Sequence, residues 1–139
     1  MRRLHQIHVS LFSELCGAFR VTPLQYSLLS LLRACDGADQ TTLANTVALD
    51  RTTTTGALKR LQARGLVERS PSPTDRRSQH CRLTPEGRTL LHRMEGAARQ
   101  AHDVTMAPLS AAEQATLIHL MKKITAAHAQ RRSAGDLVA

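Results

Sequence analysis

The sequence predicts a mostly α-helical (α+β) single domain in which one β-hairpin interrupts a run of helices. Three observations carry this expectation. Apolar residues recur at helical spacing through most of the 139 residues. The period shortens only on either side of a Ser/Pro-rich turn at 70–75. Aromatic residues are limited to Phe12, Phe19 and Tyr26, with no Trp, which argues against an aromatic-rich β-sandwich or a base-stacking platform for single strands.

The first helix is expected over about Leu4 to Phe19, with Leu4, Ile7, Leu11 and Leu15 on one stripe. A neighbouring stripe reads His5, His8, Phe12, Cys16 and Phe19, more apolar surface than one partner usually covers. Thr22-Pro23-Leu24-Gln25 is a capping box with Pro at the first helical position; it opens a second helix through Leu28, Leu29, Leu31 and Leu32 that stops near Gly37. Asp39 is the expected cap of a short third helix that turns Leu43, Ala44 and Val47 inward. Ala48 and Leu49 then make a tight connection to Asp50, the cap of a fourth helix with Thr54, Leu58 and Leu61 inward. Ala63-Arg64-Gly65-Leu66 fits a Schellman stop. Leu66 to Arg69 and Gln79 to Leu83 are the expected strands of a hairpin, or wing. Thr84-Pro85 starts a long helix with Leu90, Leu91, Met94, Ala97, Ala98, Ala101 and Val104 on its apolar side, broken by Pro108. Ser110-Ala111-Ala112-Glu113 caps a last helix carrying Leu117, Leu120, Met121 and Ile124, with a polar, loose tail after His128.

Composition narrows the function. The apolar stretch around Leu28 to Leu32 is far shorter than the ~20 residues of a membrane span, and Arg2 and Arg3 lead into polar residues rather than an apolar signal core, so no membrane partner and a cytoplasmic location are expected. Cys16, Cys35 and Cys81 lack CxxC spacing, so neither a disulfide framework nor a zinc finger is implied. His5 and His8 lack a third metal ligand nearby. Without a Gly-rich phosphate loop, nucleophile elbow or metal-ligand set, neither an enzyme nor a bound cofactor or metal is expected.

The net charge is +8, and the stretch from Arg51 to Arg93 holds ten basic residues against Glu68, Asp75 and Glu86. Nearly all of the chain's net positive charge, +7 of +8, is therefore concentrated where the fourth helix and the hairpin lie, the footprint of a polyanion-binding surface. Helix, tight turn, helix and basic hairpin, in that order, make a winged helix-turn-helix, whose second helix enters the major groove through its N-terminal residues.

At about 100° per residue, the fourth helix presents Thr52, Gly56, Lys59 and Ala63 outward, flanked by Thr53, Thr55 and Arg60. Each Thr costs up to about 0.7 kcal/mol and the Gly about 1 kcal/mol relative to Ala in a helix. A propensity rule broken over five successive residues marks a functional surface, where hydroxyls meet bases or phosphates and Gly56 lets the backbone come close. At the hairpin, Asp75 and Arg77 share a face of an extended segment, so the carboxylate can orient a guanidinium for a narrow minor groove, with Arg76 between them.

With these motifs in place, the sequence resembles the multiple-antibiotic-resistance regulator (MarR) family of bacterial winged-helix transcription factors. The likeness rests on Leu24-Gln25-Tyr26, Leu49-Asp50-Arg51-Thr52-Thr53-Thr54-Thr55, Arg60-Leu61-Gln62-Ala63-Arg64-Gly65-Leu66-Val67, Asp75-Arg76-Arg77 and Leu83-Thr84-Pro85-Glu86-Gly87-Arg88. It covers about Thr22 to Leu91, and the flanking helices match in pattern only. Within one domain over 1–139, the resemblance implies a DNA-binding lobe at about 22–91 and N- and C-terminal dimerisation helices at about 1–20 and 92–130. The implied function is a homodimeric repressor on double-stranded DNA at a pseudo-palindromic operator, with DNA contacts from Arg51, Thr52, Thr53, Thr55, Lys59, Arg60, Asp75, Arg76 and Arg77. Gly56 stands where many members carry a larger polar residue. Family members often release DNA when a small aromatic or phenolic effector binds beside the dimerisation helices. Here His5, His8, Phe12, Cys16 and Phe19, with Arg20 and Tyr26 at the junction to the second helix, are the candidate wall. Two alternatives stay open: redox sensing through Cys16, which lies near the end of its helix whereas the peroxide-sensing branch has its cysteine near the start, and non-specific nucleic-acid binding by the same basic surface.

Overall fold

The computed structural model describes residues 1–47, 50–74 and 77–136, with side chains as far as 131. The elements run α1 (Arg2–Cys16), a 3-10 turn (Gly17–Phe19), α2 (Pro23–Cys35), β1 (Ala38–Asp39), α3 (Gln40–Thr46), α4 (Arg51–Ala63), β2 (Val67–Pro71), β3 (Gln79–Leu83), α5 (Pro85–Met106) and α6 (Ala111–Asp136). The chain packs as two compact units, Met1–His102 and Asp103–Ala139, the division falling within α5.

Local chemistry places most boundaries. The Gln25 amide donates to Thr22 Oγ1 at 3.1 Å and the Thr22 amide to Gln25 Oε1 at 3.0 Å, the reciprocal capping box expected for α2. Ser110 and Glu113 repeat it at the start of α6, at 2.9 and 3.2 Å. At the end of α4, Gly65 takes φ +72°, its amide reaches the Gln62 carbonyl, and the Leu66 amide reaches the Leu61 carbonyl. Both bonds of the Schellman stop are therefore present.

The wing is antiparallel, with Val67 opposite Leu83 and Pro71 opposite Gln79. A third strand, β1, pairs with β3 through Ala38 opposite Cys81 and Asp39 opposite His80, giving the order β1-β3-β2. The sequence predicts no strand at 38–39, and Asp39 is the expected cap of α3. Asp39 does occupy the N-cap position, but its carboxylate instead accepts from Ser72 Oγ and faces His80 Nδ1, each at 3.0 Å.

The core of the first unit joins Phe12 and Cys16 of α1, Leu28, Leu29 and Leu32 of α2, Leu43 of α3, Leu58 and Leu61 of α4, Cys81 of β3, and Leu91 and Met94 of α5. On α1 it is the stripe of Phe12 and Cys16 that packs inward, while Leu4 and Ile7 are about half exposed. Val104, expected on the buried side of α5, is 45 % exposed, and Leu120, Met121 and Ile124 of α6 are likewise open in the single chain. The C-terminal helix runs beyond the expected loose end at His128 to Asp136. Polar residues do not end a helix, and the alanines among them favour it.

Candidate nucleic-acid interface and effector cavity

Helix α4 is anchored from below and open above. Thr54, Leu58 and Leu61 are buried, as the helical wheel required, and Ala57 with them, leaving Arg51, Thr52, Thr53, Lys59 and Arg60 exposed. Asp50 caps the helix by accepting from the Thr53 amide at 2.7 Å and the Thr53 hydroxyl at 2.9 Å. These bonds, the amide first, hold its carboxyl below the usual carboxylate range. The Thr55 hydroxyl accepts from the Gln40 amide group of α3. The connection at Ala48 and Leu49 lies outside the described residues.

Nine of the ten basic residues are described, and they fall into two groups. Arg64 donates to the carbonyls of Arg20 and Phe19 at 2.6 and 3.0 Å, tying the end of α4 to the turn after α1. Arg82 and Arg88 lie 3.8 and 3.2 Å from the Asp36 carboxylate, and Arg93 stacks over the Phe19 ring at 6.0 Å. Arg69 reaches Gln62 Oε1 at 3.3 Å and Gln40 Oε1 at 2.9 Å. Since Gln40 also holds Thr55, a single side-chain network joins wing strand β2, helix α3 and helix α4. The second group is Arg51, Lys59, Arg60 and Arg77, all exposed. Arg51 and Thr55 of α4 line, with Arg77 of the wing loop, a hollow of about 100 Å³. Asp75 and Arg76, expected at the wing tip, lie outside the described residues.

A second site lies beside α2. A cavity of about 730 Å³ is walled by His5, His8 and Phe12 of α1 and by Leu24, Tyr26 and Leu31 of α2. Thr46 and Val47 close it from α3, and Ala98 and His102 from α5. The Phe12 ring tilts against Tyr26 at 5.7 Å and against His8 at 6.4 Å, giving the apolar floor an aromatic edge. Ser30 also lines the cavity, and its Oγ is buried with no hydrogen-bond partner among the described residues. Burial, then His102, then His5, keep the His8 imidazole below its ordinary pKa.

Of the seven residues expected to form this wall, His5, His8, Phe12 and Tyr26 do so and Cys16, Phe19 and Arg20 do not. Cys16 is fully buried in the core, and burial pushes its thiol pKa up, the reverse of what a reactive thiolate needs. Phe19 lies under Arg93, and Arg20 takes a left-handed turn at φ 54° with its carbonyl bound to Arg64. The sequence reading missed Ser30 and His102. The latter sits four residues after Ala98, continuing the apolar face of α5, a signal available from spacing.

A helix capped at its N-terminus, with an exposed Arg/Thr/Lys face beside a basic β-wing, is a winged helix-turn-helix, the architecture of DNA-binding transcription regulators. The family model described as MarR family matches residues 21–79. The repressor NicR of Pseudomonas putida is 34% identical over 124 residues, covering 89% of this chain and 78% of that one. The chain belongs to the MarR family of transcription regulators. Among solved structures, Bordetella bronchiseptica BpsR, described for regulation of its DNA binding by 6-hydroxynicotinic acid, superposes with a TM-score of 0.82 at 32% identity, covering 89% of each chain. Streptomyces coelicolor PcaV in complex with its natural ligand gives 0.78 at 34% identity, over 91% of this chain and 89% of that one. Among the described residues no helix is long and apolar enough to cross a membrane.

Proposed function

We propose that the protein is a cytoplasmic, homodimeric repressor that binds a pseudo-palindromic operator and is released from it by a small aromatic acid or phenolic ligand. The observation that carries the reading is the hollow that Arg51 and Thr55 line with Arg77, beside the exposed Lys59 and Arg60. Recognition helix and wing there present cations to one surface, the helix tip for base edges and the flanking cations for phosphates. The structural cations of the same stretch are already engaged by Asp36, by carbonyls and by the α3 network. In this reading Arg51, Thr52, Thr53, Thr55, Lys59, Arg60, Asp75, Arg76 and Arg77 form the DNA surface. The half-exposed Leu4 and Ile7, with Leu120, Met121 and Ile124, supply apolar surface for the partner subunit. NicR, a repressor, and BpsR, responsive to 6-hydroxynicotinic acid, support the repressor and effector parts.

Effector control is favoured over redox control because the cavity is open while Cys16 is sealed in the core with a raised thiol pKa. Control then requires that ligand bind one spacing of the two recognition helices better than another. Binding to a selected operator across a salt series tests the DNA surface. Lys59→Ala and Arg77→Ala are each expected to weaken binding and to reduce the salt slope by about one. Unchanged affinity and slope in both variants would refute the assignment.

A further inference from the structure

The cavity beside α2 lacks a fixed positive charge. Its described lining contains no Lys, Arg, Asp or Glu, and the guanidinium that the sequence placed there, Arg20, lies elsewhere. What it holds instead is an imidazole cluster, with His8 half-buried between His5 on its own helix and His102 from α5. The other polar side chains of the described lining are neutral: the Tyr26 phenol and the hydroxyls of Ser27 and Ser30 from α2, and Thr46 from α3. A smaller hollow adjoins it past Tyr26 and His102, where Arg33 pairs with Glu95 and Arg99 stands alongside.

A carboxylate entering an apolar cavity needs a counter-charge within reach. With no fixed cation among the described lining residues, an imidazole must become one. We infer, on the effector reading above, that the cavity takes up an aromatic carboxylate together with a proton, which adds from solvent to an imidazole nitrogen of the His5–His8–His102 cluster. Burial, then repulsion from His102 and His5, holds the His8 imidazole below its ordinary pKa in the free protein. The anion reverses that balance by replacing repulsion with an ion pair. Affinity is then greatest below the free imidazole value and falls as pH rises toward the raised value in the complex. Ser30 Oγ, buried without a partner, offers the ligand's polar edge a hydrogen bond.

Calorimetric titration of the full chain with benzoate, salicylate, nicotinate and 6-hydroxynicotinate, in phosphate and in Tris, tests this. The dependence of the observed heat on buffer ionisation counts the protons. The expected result is uptake approaching one proton per site at pH 7.5, with affinity falling by up to about tenfold per pH unit above neutrality. The amide of the tightest acid should bind without uptake. In the exposed-rim variant His102→Gln and in His8→Gln the uptake should shrink and the acid should lose at least severalfold in affinity, the amide little. Binding of an acid with no proton uptake would overturn the inference and leave the effector cavity standing. Loss of that binding in Arg99→Gln would then place the counter-charge in the adjoining hollow. Proton uptake by the amide equal to that of the acid would also overturn it. If none of the four acids binds, the effector reading falls and this inference with it.

Discussion

Gly56 sits in the middle of the exposed face of α4, where a side chain is affordable in steric terms: an added Cβ would meet only the Arg60 guanidinium, at 3.9 Å. Alanine should therefore stabilise the helix by up to about 1 kcal/mol. If the absent side chain serves close approach of the backbone to DNA, Gly56→Ala raises Tm while lowering operator affinity severalfold. Parallel melting and binding measurements separate the two effects, and unchanged affinity would remove Gly56 from the interface. Gly87 works differently. A Cβ there would run into the backbone carbonyl of Leu66, so this glycine lets the start of α5 press against the end of α4. The Thr84 hydroxyl fastens the same junction by donating to the Gly65 carbonyl at 2.6 Å and accepting from the Gly87 amide at 3.0 Å. Gly87 is thus required by the packing of the fold, whereas nothing in the packing requires a glycine at position 56.

At the scale of elements, recognition helix and wing are linked by Arg69. Its guanidinium spans Gln62 of α4 and Gln40 of α3, and Gln40 passes the contact to Thr55. Arg69→Met keeps much of the stem's packing and removes the fork. It should speed amide exchange along Val67–Pro71 and Gln79–Leu83 and weaken operator binding, leaving α2 and α5 protected. Exchange unchanged in both strands would mean the wing is held by its ladder alone. The elements themselves were largely legible, because capping boxes, a Schellman glycine and a Ser/Pro turn are local signals. What was not legible depends on contacts distant in sequence. Strand β1 has only two residues and owes its existence to His80 and Cys81, about forty positions away. Asp39 carries a cap's identity, but the nearby Ser72 and His80 claim its carboxylate. The candidate wall on α1 was overdrawn for a geometric reason. At 1.5 Å per residue a stripe from His5 to Phe19 runs roughly 21 Å, and only its first half borders the cavity. The second half packs in the core and against Arg93.

For the whole molecule, the concentration of charge and the exposed apolar residues have separate meanings. The +8 net charge sets a salt-dependent attraction to any duplex, and the division of the cations determines how much of it acts at the surface. Arg64, Arg69, Arg82, Arg88 and Arg93 tie elements together, all but Arg69 being exposed as well, while Arg51, Lys59, Arg60 and Arg77 are exposed on α4 and the wing loop. Leu4 and Ile7 in the first unit, and Leu120, Met121 and Ile124 in the second, are large apolar side chains left about half exposed in the single chain. A two-fold dimer through such surface would present two recognition helices, and the half-site spacing follows from the pitch of the duplex. The most direct measurement is selection of bound sequences from random duplex DNA near physiological salt. The account predicts enrichment of a two-fold-symmetric site with half-site centres about 10 bp apart, bound at least a thousandfold more tightly than mixed genomic DNA, a ratio on the order of the lower bound for specific binders. Recovery of no enriched sequence, with genomic DNA or RNA competing equally well, would contradict it and assign the basic surface to non-specific nucleic-acid binding.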